Sequence, residues 1–307
     1  MWTYIIRRLL GAVGVIIAVS VIVFLLMYLV PGDPAAHMLG EVGHSPAHVA
    51  ELRERLGLND PLYVQYANFI QGLFRGDLGH SFYLKRPVAT VILEQYGATV
   101  QLAVAGMLLA LLIGVTLGVL AAVRHNTWLD SATMVFALFG VSVPSFWLGI
   151  MLILFFSFNL GWFPPTGSAT LRHLVMPAFA LGVAASALIA RLVRSCLLDV
   201  LNQDYIRTAR AKGIGENSVI WKHALKNAMI PAITIIGLQF GFLLGGTVVI
   251  ETVFSRQGLG RLAVSGILNQ DHPMVRIVIL LAAVSFILIN TLVDLMYGFL
   301  DPRIRYD

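Results

Sequence analysis

Long uncharged apolar stretches separated by polar segments divide this chain. The first runs from Leu9 to Val30, about 33 Å if helical, enough to cross a hydrocarbon core of about 30 Å. Others run from near Thr99 to Val123, Ser131 to Leu160, Leu174 towards Arg191 and Arg194, Ala232 to Ile250, and Ile277 to Leu300. The pattern predicts an all-α membrane protein with six transmembrane helices, Pro144 lying inside the third. Leu9–Val30 is longer than the apolar core of a cleaved leader, so it is expected to remain as the first span.

Residues 31–95 break this pattern and read as soluble. Pro31, Gly32, Asp33 and Pro34 end the first span. Ser45 followed by Pro46 is a helix start, with the cap and the first-turn proline in their favoured places. Amphipathic helices are expected over His48–Leu58 and Pro61–Phe74, followed by a turn-rich connection from Arg75 to Phe82. Three parts result: a terminus and first span (1–30), a helical extracytoplasmic domain (31–95), and a five-helix core (96–307).

The other long polar segment is Asp204–Pro231, which sits between two apolar spans and carries Arg207, Arg210, Lys212, Lys222 and Lys226 against Asp204 and Glu216. Asp204 can cap a short helix and suits the positive end of its dipole. Gly213 and Gly215 break that helix. Asn217 or Ser218 can cap a second one. There Trp221, Ala224, Leu225 and Ala228 fall at i, i+3, i+4 and i+7 on one apolar face, with Lys222, His223, Lys226 and Asn227 opposite. Pro231 marks the return to apolar sequence. A preformed helix pair outside the bilayer offers a rigid surface to a soluble partner.

Composition agrees with a polytopic chain. Of 307 residues, 58% are hydrophobic and 12% charged, about half the charged share of a soluble domain. Twelve of the 21 Lys and Arg fall at one side of the predicted membrane: Arg7, Arg8, Arg124, Arg191, Arg194, the five of the polar loop, Arg303 and Arg305. The excess of basic residues marks that side as cytoplasmic, both termini included. The net charge of +5 is no nucleic-acid footprint, because the basic residues sit in loops without interleaved aromatics. Cys196 is alone, so an internal disulfide is impossible. His37, His44, His48 and His80 follow no ligand spacing, so no metal is expected. No phosphate-binding loop is present.

Asp204–Pro231 resembles the coupling loop of ABC importer permeases, in particular the peptide/nickel branch. The likeness rests on Tyr205 to Gly213, then His223, Ala224, Leu225, Asn227, Ala228, Ile230 and Pro231. Arg207 stands where the broader signature has an acid, and the gap from Gly213 to Pro231 is longer; both are features of the peptide branch. Gly57–Tyr66 and Gly76–Ser81 are similar to that branch too, and the large domain after the first span points to its B-type subunit. The resemblance implies a type I importer fold with Tyr205, Arg207, Ala209, Arg210, Lys212, Gly213, His223, Asn227 and Pro231 as the ATPase-coupling surface. It implies as partners a second homologous permease, two ATP-binding subunits that hold ATP and Mg, and an extracytoplasmic substrate-binding protein. The chain itself would be non-catalytic and bind no cofactor. Dipeptides or short oligopeptides are the first expectation for cargo, then glutathione, then nickel. The outer domain would dock the binding protein or act as a passive lid.

Glu251 to Leu262 resembles a family segment, with Gln257 replacing the usual proline. It makes Glu251, Phe254, Gly258, Gly260 and Arg261, with Asp271, an outer gate or a structural re-entrant turn. Within the spans Ser142, Ser145, Gln239, Asn290 and Asp294 are candidates to line the pathway. Ser142, Ser145 and Gln239 each read more often as a helix-packing residue than as a substrate contact, and Asp294 more readily as a structural partner of Arg191, Arg194 or Arg303. Gly237, Gly241, Gly245 and Gly246 fit close helix packing. An ion-coupled secondary transporter is the alternative of another class; the repeats and broken helices it usually needs are not visible. A membrane-embedded enzyme would need a convergent polar cluster in the spans, and none is evident.

Overall fold

The computed structural model describes residues 2–29, 35–36 and 45–300. The expected chain break at residues 31–34, and His37, His44, Arg303 and Arg305, lie outside the described residues. The helices in order are α1 (Trp2–Leu29), α2 (Pro46–Arg55), α3 (Leu62–Arg75), α4 (Val88–Val123), α5 (Trp128–Ser142), α6 (Ser145–Leu152), α7 (Arg172–Leu201), α8 (Asp204–Ala211), α9 (Glu216–Ser218), α10 (Leu225–Val253), α11 (Leu259–Leu268) and α12 (His272–Leu300). Two π-helical segments, Ile153–Asn159 and Val219–Ala224, continue α6 and join α9 to α10. Among the described residues the β contacts amount to one isolated bridge, His80 to Pro87.

Five helices carry segments long and apolar enough to cross a membrane: Ile5–Leu26, Val88–Val123, Arg172–Leu201, Ile235–Val253 and His272–Leu295. The third expected span is not one straight helix. It breaks at Pro144 into α5 and α6 with a bend of 98°, because proline disfavours the helical conformation of the residue before it, and Val143 is extended. The pair makes the sixth crossing only when counted as one broken span.

α4 also departs from expectation. It starts at Val88, eleven residues before Thr99, and so runs across the boundary placed at residue 95. Its 36 residues reach about 54 Å, so one end stands clear of the bilayer. There Val88, Val91 and Ile92 form a small core with Leu259, Leu262, Met274 and Ile277 from α11 and α12. Phe69 and Leu73 of α3 pack against it.

The main core lies between α4 and α7 and extends to α8 and α10. Three glycines let the backbones of α4 and α7 touch. A Cβ on Gly114, Gly118 or Gly182 would come within 2.7 Å of the carbonyl oxygen of Ser186, Ala190 or Gly106 respectively. Small residues at such a crossing are how helices associate in lipid, where no hydrophobic driving force brings them together. Gly237 and Gly241 of α10 make room instead for side chains of α12, Val293 and Phe286. Gly245 meets nothing and Gly246 only Leu181, so two of the four expected packing glycines serve that contact.

α1 holds the chain's outer segments through aromatic contacts. The Arg276 guanidinium of α12 sits 5.0 Å from the ring centres of both Phe24 and Phe69. Ser20 and Tyr66 share a 2.8 Å hydrogen bond. Ser45 is the N-cap of α2 with Pro46 in its first turn, as expected, but caps with no side-chain bond.

Candidate functional site

The polar loop folds as a clamped pair of helical segments. Gln203, not Asp204, is the N-cap of α8; Asp204 is its first residue and pairs at 3.6 Å with Arg207. α8 ends in a Schellman turn: Gly213 is left-handed (φ +76°), its N–H donates to Arg210 O, and Ile214 N–H donates to Ala209 O. Gly215 then caps α9. Arg210 closes the turn with two hydrogen bonds to Glu216, 2.6 and 3.1 Å. That guanidinium holds the Glu216 carboxyl below its ordinary value of 4.5, so the pair is intact at neutral pH and is lost only as pH falls through the lowered value. Asn227 Nδ2 donates to Tyr205 Oη at 2.7 Å and ties α10 back to α8.

The buried face of this unit differs from the expected one. Ile206, Ala209, Val219, Ile220, Ala224 and Ala228 are buried, whereas Trp221 is 55% exposed. The π turn from Val219 to Ala224 is the reason. It adds a residue per turn, so the spacing of an ideal helix puts Trp221 on the wrong side. Pro231 does not interrupt the helix that follows the loop. It lies inside α10, exposed, and the chain stays helical from residue 216 to Val253. Arg207, Lys212, Lys222, Lys226 and Trp221 form the exposed side, and His223 is half-buried.

A cluster that sequence reasoning missed anchors this unit. Asp130, 4% exposed at the start of α5, accepts from Arg194 Nε at 2.6 Å and Nη2 at 2.7 Å, and from the Asn126 N–H at 3.1 Å. His125 Nδ1 stands 3.2 Å away. Arg194 belongs to α7, the helix that leads into α8. The usable signal was one acid at the head of an apolar run, which a charge count by side overlooks.

At the opposite end of α10 most of the expected gate residues meet. Glu251 is fully buried and accepts from Thr99 Oγ1 (2.6 Å), Gly260 N–H (2.8 Å) and Arg261 N–H (3.2 Å). Thr99 Oγ1 in turn accepts from Leu259 N–H. The glycines are there for space: a Cβ on Gly258 would lie 2.3 Å from the Glu251 carboxyl, and one on Gly260 would lie 2.3 Å from Val248 Cα. Phe254 is buried, and its carbonyl accepts from Gly167 N–H. Arg256, another residue missed, is 1% exposed and donates to Gln101 Oε1 at 2.8 Å. Asp271 stands apart from this cluster. It is buried at the head of α12, accepts from Ser81 Oγ and from the Phe82 N–H at 3.1 Å, and fixes the turn at residues 81–82 to the last helix.

The candidate pathway residues do not converge. Ser142 donates to the carbonyl of Leu138 in its own helix. Ser145 and Gln239 are half-buried on α6 and α10. Asn290 and Asp294 border one cavity between α1 and α12. Among the described residues Asp294 pairs with Arg8 at 2.7 Å; of its expected partners, Arg194 is taken by Asp130 and Arg303 lies outside the described residues. Among the described residues no group of His, Cys, Asp and Glu could hold a metal ion.

Two family models match. "Binding-protein-dependent transport system inner membrane component" covers residues 114–306, and the N-terminal model of the same system covers residues 1–103. The chain is 46% identical over 307 residues, all of both chains, to "Glutathione transport system permease protein GsiC" of Escherichia coli O6:H1. It is 44% identical over 306 residues to the protein of that name in Salmonella choleraesuis. Among solved structures, an inward-facing MetNI methionine ABC transporter chain aligns with TM-score 0.61 at 21% identity, covering 69% of this chain and 96% of that one. A chain of an amino acid ABC transporter aligns at 0.55 and 15%, covering 68% and 94%.

Proposed function

This chain belongs to the inner membrane components of binding-protein-dependent transport systems, as a permease of the peptide/nickel ABC importers, and we propose that it forms half of the pathway for a short peptide, with glutathione as first candidate. The observation that carries the cargo reading is full-length identity of 44–46% to permeases named for glutathione transport. Dipeptides stand next, from the resemblance of the coupling loop. In this reading both termini and the loop 204–231 face the cytoplasm, in accord with the basic excess on that side. A second permease completes the pathway, two ATPase subunits bear on the loop, and a binding protein docks outside.

The loop's own residues supply the mechanics. Arg207, Lys212, Lys222 and Trp221 meet the ATPase. Tyr205–Asn227 and Arg210–Glu216 keep its two helices one body. α10 carries the displacement: its 29 residues form a rod of about 44 Å from the loop to the Glu251 cap. Motion of the ATPase pair thereby reaches the outer closure through a single rigid element.

Two experiments test this. In cells without other uptake routes, the assembled importer is expected to accumulate labelled glutathione, and excess dipeptide to compete weakly. Dipeptide uptake untouched by glutathione would sink the cargo reading. Gly213→Val places a β-branched residue in the left-handed turn, a cost of about 1–2 kcal/mol, although a Cβ there meets no atom within 4 Å. Transport is expected to fall at least tenfold while membrane insertion is unchanged. Normal uptake by this variant would count against a coupling role for the loop.

A further inference from the structure

A cavity of about 670 Å³ lies between the first half of α1 and the last half of α12, within the roughly 300–1,000 Å³ of small-ligand sites. Arg7, Arg8 and Gly11 border it from α1, and Phe286, Ile287 and Asp294 from α12. Its charged groups gather where α1 begins and α12 nears its end. Arg8 pairs there with Asp294, and Arg7 beside it has no acidic partner among the described residues. Further along, the walls are mainly apolar and do not close on each other: a Cβ on Gly11 would meet nothing within 4 Å. The slot therefore follows the apolar segment Ile5–Leu26 and carries, at the end where that segment begins, the Arg7 guanidinium. Basic pockets between membrane helices at that level select anionic headgroups.

We propose that this groove holds one anionic phospholipid, with its phosphate on Arg7 and an acyl chain along Gly11 and Ile287. The site assigns the Asn290–Asp294 face of α12 to lipid and removes it from the substrate pathway. It depends on the chain crossing a bilayer and not on the identity of the cargo.

Native mass spectrometry of the assembled importer, stripped of lipid and titrated with phosphatidylglycerol or phosphatidylcholine, tests the site. Phosphatidylglycerol is expected to be retained at least fivefold more strongly. Arg7→Gln is expected to cut that retention about fivefold, the worth of one basic residue near an anionic surface. Gly11→Leu fills the slot and is expected to remove bound lipid of either kind without changing the protein mass of the complex. Equal retention of the two lipids, or phosphatidylglycerol binding indifferent to Arg7→Gln, overturns the proposal. So does a Gly11→Cys chain that cross-links to the second permease in native membranes, because a protein helix would then fill the groove. If Gly11→Leu does not assemble, the exposed Arg7→Gln decides alone. The readout is lipid mass, so an error in the cargo assignment leaves the result interpretable.

Discussion

Glu251→Ala is expected to loosen the junction of α10 with α11, abolish transport and lower the melting temperature of the detergent-solubilised importer by on the order of 10 °C. The carboxylate is fully buried and is the shared acceptor for Thr99 Oγ1 and the N–H groups of Gly260 and Arg261. Removing it strands those donors at about 1–3 kcal/mol each. It also takes away the nearby negative charge from the buried Arg256 guanidinium. Breaking a buried charge arrangement by deleting one member costs about 3–5 kcal/mol, a large share of a typical total of 5–15 kcal/mol. Glu251→Gln keeps the shape and one acceptor oxygen, so its loss should be roughly half as large. Hydrogen exchange localises the effect: Gly260 and Arg261 amides should lose protection while α7 keeps it. An unchanged melting midpoint for Glu251→Ala would show that α11 is held by packing alone.

Asp130→Ala is the second large effect, at the other end of the molecule. Its carboxylate takes two hydrogen bonds from Arg194 and holds the Asn126 turn. The Arg194 side chain is 24% exposed, so water softens the loss, and about 2–3 kcal/mol is expected rather than the 3–5 of a fully buried pair. Arg210→Ala is the matched comparison. That pair is 41% and 55% exposed, and about 0–1 kcal/mol is expected. Asp130→Ala should thus destabilise clearly more than Arg210→Ala, by thermal unfolding in detergent. The double variant Asp130→Ala, Arg194→Ala should cost less than the sum of the singles, because each removes the same interaction. Additive losses would mean that the two residues act separately.

The local shape of the loop 204–231 was legible in the sequence, and for a physical reason. A short α8 and its stop at Gly213 are local requirements, written in neighbouring residues. The phase of the following helix was not legible. Spacing rules assume 3.6 residues per turn, and the π turn at Val219–Ala224 moved Trp221 out of the buried face. A second departure came at Pro144: the sequence placed it inside one third span, whereas the structure breaks that span there by 98°.

The sequence by itself determined that this is a polytopic helical membrane protein and which stretches are apolar enough to span. Lipid forces backbone polar groups to be satisfied within each helix, so apolar length alone reveals a span. Only the tertiary structure decided the long-range polar pairings. Asp130 with Arg194 joins residues 64 apart and Asp271 with Ser81 joins residues 190 apart, while Asp294 takes Arg8 from the far terminus. Such partners are chosen by which helices cross, and the crossings depend on glycines such as Gly114 and Gly118 whose role is visible only once another backbone lies against them.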